Sequence, residues 1–184
     1  MGVRVEVKSL IAPDGLDALC SHAVRSPPGD FVEVGVYQGG SALRLYRIAE
    51  AQGRTLHLFD TFTGHPAVDE IDHHRVGQYG KDAITPSALQ ELLPNARIYP
   101  GVFPDTLPDG LDGVAFVHAD ADLYASTLAI CRLIPERMVN GGVMYFDDYG
   151  YGDCPGCTKA VDEVFGPPET PDQQQRVEVV WRNH

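Results

Sequence analysis

The feature that most constrains this chain is a regular alternation: short apolar runs suited to buried strands are separated by stretches of helical period. Phe31 to Val36 is the first clear run. Thr55 to Phe59, Ala96 to Tyr99, Gly113 to His118 and Gly142 to Phe146 follow, the last entered through Asn140-Gly141. Helical spacing is read over Ser41 to Gln52, with Ser41 as its cap, and over Ser87 to Leu93, Leu123 to Met138 and Thr158 to Phe165. A leading helix is expected over Gly15 to Val24, and a last strand over Val177 to Trp181, after the Pro-rich stretch that starts at Gly166. Strand and helix in alternation predict an α/β fold, an open doubly wound, mostly parallel sheet with helices on both faces. Right-handed crossovers then fix most of the strand order. No internal repeat divides the chain, so residues 1–184 are read as a single domain.

Composition narrows the function classes. Of the 184 residues, 43% are apolar and 22% charged, the balance of a soluble globular protein. No apolar run reaches the roughly 20 residues of a membrane span, and the first ten residues lack a signal-peptide core. A cytoplasmic protein with no membrane partner is expected. Fourteen basic residues against 26 acidic ones give a net charge of −12. Nucleic acid is therefore not expected as a partner, because that affinity comes from basic patches that release counterions. Cys20, Cys131, Cys154 and Cys157 are too few and too unevenly spaced for a disulfide scaffold. Cys154-Pro155-Gly156-Cys157 has no second ligand pair to complete a zinc site, and is read as a turn holding two ordinary cysteines.

In such sheets ligands bind beyond the carboxyl ends of the strands. After the first strand comes Glu33-Val-Gly35, then Gly39-Gly40-Ser41. Glycines there let the backbone turn tightly and approach a ligand at a helix N-terminus. The GxxxG spacing differs from the GxGxxG of dinucleotide sites, and Glu33 suits a ligand carrying positive charge. Asp60 follows the second strand, where a carboxylate accepts hydrogen bonds from a ribose diol. An adenosine-type ligand is the reading that joins these two features. After the fourth strand come Asp120 and Asp122; after the fifth come Asp147 and Asp148. If the two strands are neighbours, the carboxylates converge and repel, a conflict that a hard divalent cation resolves. The stretch from Asp60 to about Pro86 reads as a long polar loop; His65, His73 and His74 within it are read as solvated, and His118 as a packed core residue.

With these residues in view, the chain resembles the macrocin O-methyltransferase (TylF-type) family, enzymes that use S-adenosylmethionine and magnesium and often methylate sugar hydroxyls of antibiotics. The resemblance is carried by EVGVYQGGSA (Glu33 to Ala42), FDTFTGHP (Phe59 to Pro66), GVFPDTLP (Gly101 to Pro108), HADADLYAST (His118 to Thr127), GGVMYFDDYG (Gly141 to Gly150) and CPGCTKAVDEVF (Cys154 to Phe165). It implies a Rossmann-like class I methyltransferase fold. It implies that Glu33, Gly35 and Gly39 to Ser41 hold the methionine end of S-adenosylmethionine and that Asp60 binds the ribose. Asp120, beside the cofactor, would be the general base; Asp122, Asp147 and Asp148 would bind Mg2+ or another hard divalent cation. It also implies a small-molecule hydroxyl substrate and a homo-oligomer. Thr63 and His65 stand where the family more often has an acidic and an aliphatic residue.

An aromatic diol in place of a sugar hydroxyl is compatible with the same residues. Asp120-Ala-Asp122 also fits the short DxD pattern of metal-dependent glycosyltransferases, although that reading leaves the glycine turn and Asp60 unexplained. A protein that binds the cofactor without turnover is a third alternative.

Overall fold

The computed structural model describes residues 7–167 and 177–182. Its elements are α1 (Pro13–Arg25), β1 (Asp30–Val34), α2 (Gly40–Ala51), β2 (Leu56–Asp60), α3 (Pro86–Leu92), β3 (Arg97–Pro100), β4 (Val114–Ala119), α4 (Tyr124–Leu133), β5 (Met138–Phe146), α5 (Pro155–Phe165) and β6 (Val177–Val180). The strands form one sheet in the order β3-β2-β1-β4-β5-β6, parallel throughout except for β6, which runs antiparallel to β5. The predicted α/β class and mostly parallel sheet are therefore observed. Strand order reverses between β1 and β4, and that is where a doubly wound sheet opens a ligand crevice.

Both sheet faces are covered, so the central strands read as continuous apolar runs. On one side Leu16, Leu19 and Ala23 of α1, Leu45 and Ala49 of α2 and Leu89 of α3 pack on Phe31, Leu56, Leu58 and Phe116. On the other, Ile130 and Cys131 of α4 and Cys157 and Val161 of α5 pack on Val32, Phe59, Val117 and Phe146. Burying a large aliphatic or aromatic side chain contributes about 1.5–3 kcal/mol, and Phe31, Phe59, Phe116 and Phe146 are fully buried.

Three boundaries differ from the sequence reading by more than two residues. The helix expected to reach Met138 stops at Leu133, because Pro135 cannot continue it and starts a short 3-10 turn. Strand β5 consequently begins at Met138, and its register on β4 shifts between Val114 and Phe116. Helix α5 starts at Pro155 rather than Thr158, since proline fits a first helical turn. The Cys154–Cys157 pair thus opens a helix instead of occupying a free turn. All four cysteines are free thiols. Among the described residues, no helix is long and apolar enough to cross a membrane.

Candidate active site

The glycine turn after β1 is built by contact with its neighbours. Gly35 has φ +93°, and a Cβ placed on it would sit 1.8 Å from the carbonyl oxygen of Asp120. Only glycine fits that conformation and that approach. Asp60, at the end of β2, holds the same turn from the other side. Its Oδ2 accepts hydrogen bonds from the N–H groups of Val36 (2.6 Å) and Tyr37 (3.0 Å), and its Oδ1 accepts one from Phe62 N–H (2.6 Å). Gly39, in the left-handed region, precedes the first turn of α2 and packs against Leu89. Gly40 and Ser41 reach the cleft described below. Ser41 is inside the first turn of α2 rather than its cap, and makes no capping hydrogen bond.

Glu33 is not brought to this turn. It pairs in register with His118 across β1 and β4, and cross-strand partners share a face. Its Oε1 lies 2.9 Å from His118 Nδ1, both side chains fully buried. Glu33, expected at the methionine end of a cofactor, is not among the residues lining the cleft described below; its side chain lies with His118. His118 is buried as expected, as half of a hydrogen-bonded couple.

Strands β4 and β5 are neighbours, with Ala119 beside Phe146. The next residues along each strand, Asp120 and Asp147, therefore emerge side by side, and the Asp147 N–H donates to Ala119 O (3.0 Å). Ligand oxygens of Asp120, Asp147 and Asp148 all lie within 4.8 Å of one another. Burial first, and then the negative charge of Asp147, Asp148 and Asp122, holds the Asp120 carboxyl well above the usual carboxylate range. Burial and Asp147 push Asp148 up to about 6.

Asp122 is not one of that trio but adjoins it, sharing a second cluster with Asp148 and Cys154. Its backbone has φ +59°, its N–H donates to Asp148 Oδ2 (3.0 Å), and its carboxylate faces the polar loop. There Oδ2 lies 3.6 Å from His65 Nε2 and Oδ1 lies 3.6 Å from His74 Nε2. Cys154 Sγ approaches the Asp122 and Asp148 carboxylates at 3.7 and 3.6 Å. Burial, followed by Asp148, raises the Asp122 carboxyl well above its ordinary range. Of the expected metal set, Asp147 and Asp148 gather with Asp120, while Asp122 gathers with Asp148 and Cys154 and, on its other side, with His65 and His74.

His65 and His74 are the residues that sequence reasoning missed. Their side chains are only 11% and 5% exposed, not solvated. The loop carrying them is tied down at both edges. His65 N–H donates to Gln78 O and Gly77 N–H to His65 O. Asp72 accepts from Tyr124 N–H at the start of α4 (2.9 Å) and packs on Gly156 of α5. Burial, together with His74, lowers His65 to about 4.

These features border one cleft of about 480 Å3, within the range of small-molecule sites. Asp60, Gly40, Ser41, Asp120, Asp122 and Asp147 line it. One wall is residues 8–12, whose backbone passes so close to Gly40 that a Cβ there would lie 2.5 Å from Lys8 O. Another wall is Gly101 to Phe103 after β3. Tyr151 reaches the rim, whereas Tyr149 is buried in the core, donating its hydroxyl to Asp162 (2.9 Å).

A parallel sheet reversing at β1/β4, with a glycine turn and strand-end carboxylates on one crevice, is the architecture of the class I methyltransferases. A solved structure of the O-methyltransferase NovP superposes with a TM-score of 0.75 at 28% identity, over 95% of this chain and 81% of that one. CalS11, a calicheamicin methyltransferase, gives 0.77 at 24% identity over 91% and 77%. Residues 16–169 match the macrocin O-methyltransferase (TylF) family, and the chain belongs to that family. It is 34% identical to a demethyldecarbamoylnovobiocin O-methyltransferase of Streptomyces niveus, over 74% of this chain and 58% of that protein. It is 30% identical to a mycinamicin III 3''-O-methyltransferase of Micromonospora griseorubida, over 74% and 60%. The chain thus spans about three fifths of the length of these curated relatives.

Proposed function

We propose that this protein is a cytoplasmic, single-domain O-methyltransferase that uses S-adenosylmethionine and Mg2+, or another hard divalent cation, to methylate a small-molecule hydroxyl, that of a sugar on a natural-product glycoside. The observation that carries the reading is the trio Asp120, Asp147 and Asp148 on the wall of a cleft that also contains the glycine turn. Carboxylates gathered this closely, with burial and mutual repulsion raising Asp120 and Asp148, form the oxygen-only donor set of a hard cation. The glycosyltransferase reading needs Asp120 and Asp122 to share one ion, but they belong to different clusters. The similarity to a demethyldecarbamoylnovobiocin O-methyltransferase and a mycinamicin III 3''-O-methyltransferase supports the choice of acceptor.

When bound, S-adenosylmethionine supplies an electrophilic methyl group on a sulfonium, and the cation lowers the pKa of an acceptor hydroxyl and fixes its direction. Gly35, Gly40 and Ser41 line the cofactor end of the cleft, and Gly39 shapes it from behind. Asp60 retains one lone pair, on Oδ1, beyond its three amide partners, and accepts from one ribose hydroxyl. Asp120, Asp147 and Asp148 hold the cation. Asp122, rather than Asp120, takes the hydroxyl proton onto a carboxylate oxygen: it lines the cleft, lies outside the trio and is steadied by its own N–H bond to Asp148. The walls at residues 8–12 and Gly101–Phe103 narrow the cleft around the in-line geometry that methyl displacement requires.

Calorimetric titration with S-adenosylhomocysteine and then Mg2+ tests the binding part. Two successive events are expected, and the absence of either overturns it. Turnover on a panel of glycosides and catechols tests the acceptor, because methylation confined to catechols rules out the sugar assignment. Light scattering tests the homo-oligomer that the family resemblance implies.

A further inference from the structure

We infer that His65, His74 and Asp122 form a second metal site, separate from the Asp120–Asp147–Asp148 trio and suited to a borderline transition-metal ion such as Zn2+. Two imidazoles and one carboxylate offer ligand atoms that all lie within 4.8 Å of one another. The two nitrogen–oxygen separations are each 3.6 Å. That is too long for a hydrogen bond. It is close to the roughly 3.3 Å that separates two ligands on a tetrahedral ion with bonds of about 2.0–2.1 Å. The histidines therefore approach the carboxylate as co-ligands would, without bonding to it.

Their other surroundings point the same way. His65 Nε2, the atom aimed at Asp122, is buried and has no hydrogen-bond partner. A buried polar atom left unpaired is costly, and a metal–nitrogen bond at His65 removes that cost. His74 faces Asp122 with Nε2, on a side chain that is 5% exposed. The rings of His65, His74 and Tyr79 pack on one another, with His65 perpendicular to both partners at centroid distances of 5.1 and 5.4 Å. Both imidazoles are thereby fixed in direction. The loop that presents them is held by Asp72 at the start of α4, so the donors are positioned before any ion arrives. Nitrogen donors set this cluster apart from the oxygen-only trio: imidazole favours zinc-type ions, and carboxylate oxygens favour magnesium. Three protein ligands would leave a fourth position open, and His65 and Asp122 both line the cleft, so that position faces it.

One consequence rests on the assignment of Asp122 as the proton acceptor. Zn2+ in this site occupies the same carboxylate and so blocks methyl transfer, without displacing magnesium from the trio.

The test is a titration of the full chain, in saturating Mg2+, with Co2+ as the optical stand-in for Zn2+. The expected result is one equivalent of Co2+ giving the intense visible bands of a tetrahedral site, discharged by Zn2+. His65→Gln and His74→Gln are each expected to weaken Co2+ binding about 100-fold, and Asp147→Asn to leave the bands intact. Circular dichroism of the metal-free variants checks folding; if His74→Gln does not fold, His65→Gln decides alone. The absence of bands in wild type, their survival in His65→Gln or their loss in Asp147→Asn overturns the site. An intact Co2+ spectrum with undiminished methyl transfer in Zn2+ keeps the site and overturns Asp122 as the base.

Discussion

The two strand-end regions flanking the switch point handle negative charge in opposite ways. At β1/β2, Asp60 receives three main-chain N–H groups, so the fold itself neutralises that carboxylate. At β4/β5, Asp120, Asp147 and Asp148 crowd one another, and burial and mutual charge drive Asp120 and Asp148 toward the protonated form. The first region is complete as folded. The second holds like charges together, and their mutual repulsion is left in the raised carboxyls.

Breaking the second region has the largest expected effect. Asp147→Asn removes one charge from the trio; divalent-ion binding is expected to disappear and kcat to fall on the order of 10²–10³-fold, with S-adenosylhomocysteine affinity nearly unchanged. Calorimetry beside steady-state kinetics reads both quantities, and equal losses in the two would mean the regions are not separate. Breaking the first region acts on stability instead. Asp60→Asn leaves a single oxygen for three donors and is expected to cost about 2 kcal/mol, since hydrogen bonds to charged groups contribute about 1.5–3. Denaturant unfolding checks this, and an unchanged midpoint would remove Asp60 as the brace of the turn.

The same contrast predicts a gain. Asp148→Asn is expected to stabilise the metal-free protein at pH 7 by on the order of 2 kcal/mol. The native pKa of Asp148 lies above its unfolded value, so the folded state holds the extra proton between about pH 4 and 6. Wild-type stability without metal therefore falls as pH rises through that window, and the variant flattens the slope. The smallest effect belongs to His57 on β2, buried with Nδ1 3.0 Å from Tyr99 Oη and Nε2 3.4 Å from Asp30 Oδ2. Burial lowers its pKa against the opposing pull of Asp30. The unfolded chain thus binds more protons, and stability drops as pH falls below about 6.5. His57→Gln is expected to reduce that acid-side loss in pH-dependent melting curves. An unchanged curve would mean that His57 does not carry it.

How much of this was legible in the sequence follows from the range of the forces involved. The strands were readable because Val-Ala-Phe-Val117 is buried on both faces with no polar interruption, and Phe31-Val-Glu-Val is interrupted by Glu33 alone. The end of α4 was missed although Pro135 marks it, since the helical period persists through Ile134. Aspartates at strand ends were recognisable, but their partition was not. Whether Asp120 or Asp122 joins β5 depends on the left-handed turn at residue 122, which no spacing rule reports. The register that sets Glu33 opposite His118 is likewise not legible from spacing. His65 and His74 were read as solvated because their burial comes from Asp72 reaching α4, a contact 52 residues apart along the chain.

Gly35 couples the two regions. The missing side chain at that position lets the last peptide of one strand rest directly on the carbonyl of Asp120. No side chain separates the glycine turn from the acidic end of the crevice at this point. Any thickening of this joint would wedge the turn and the carboxylates apart.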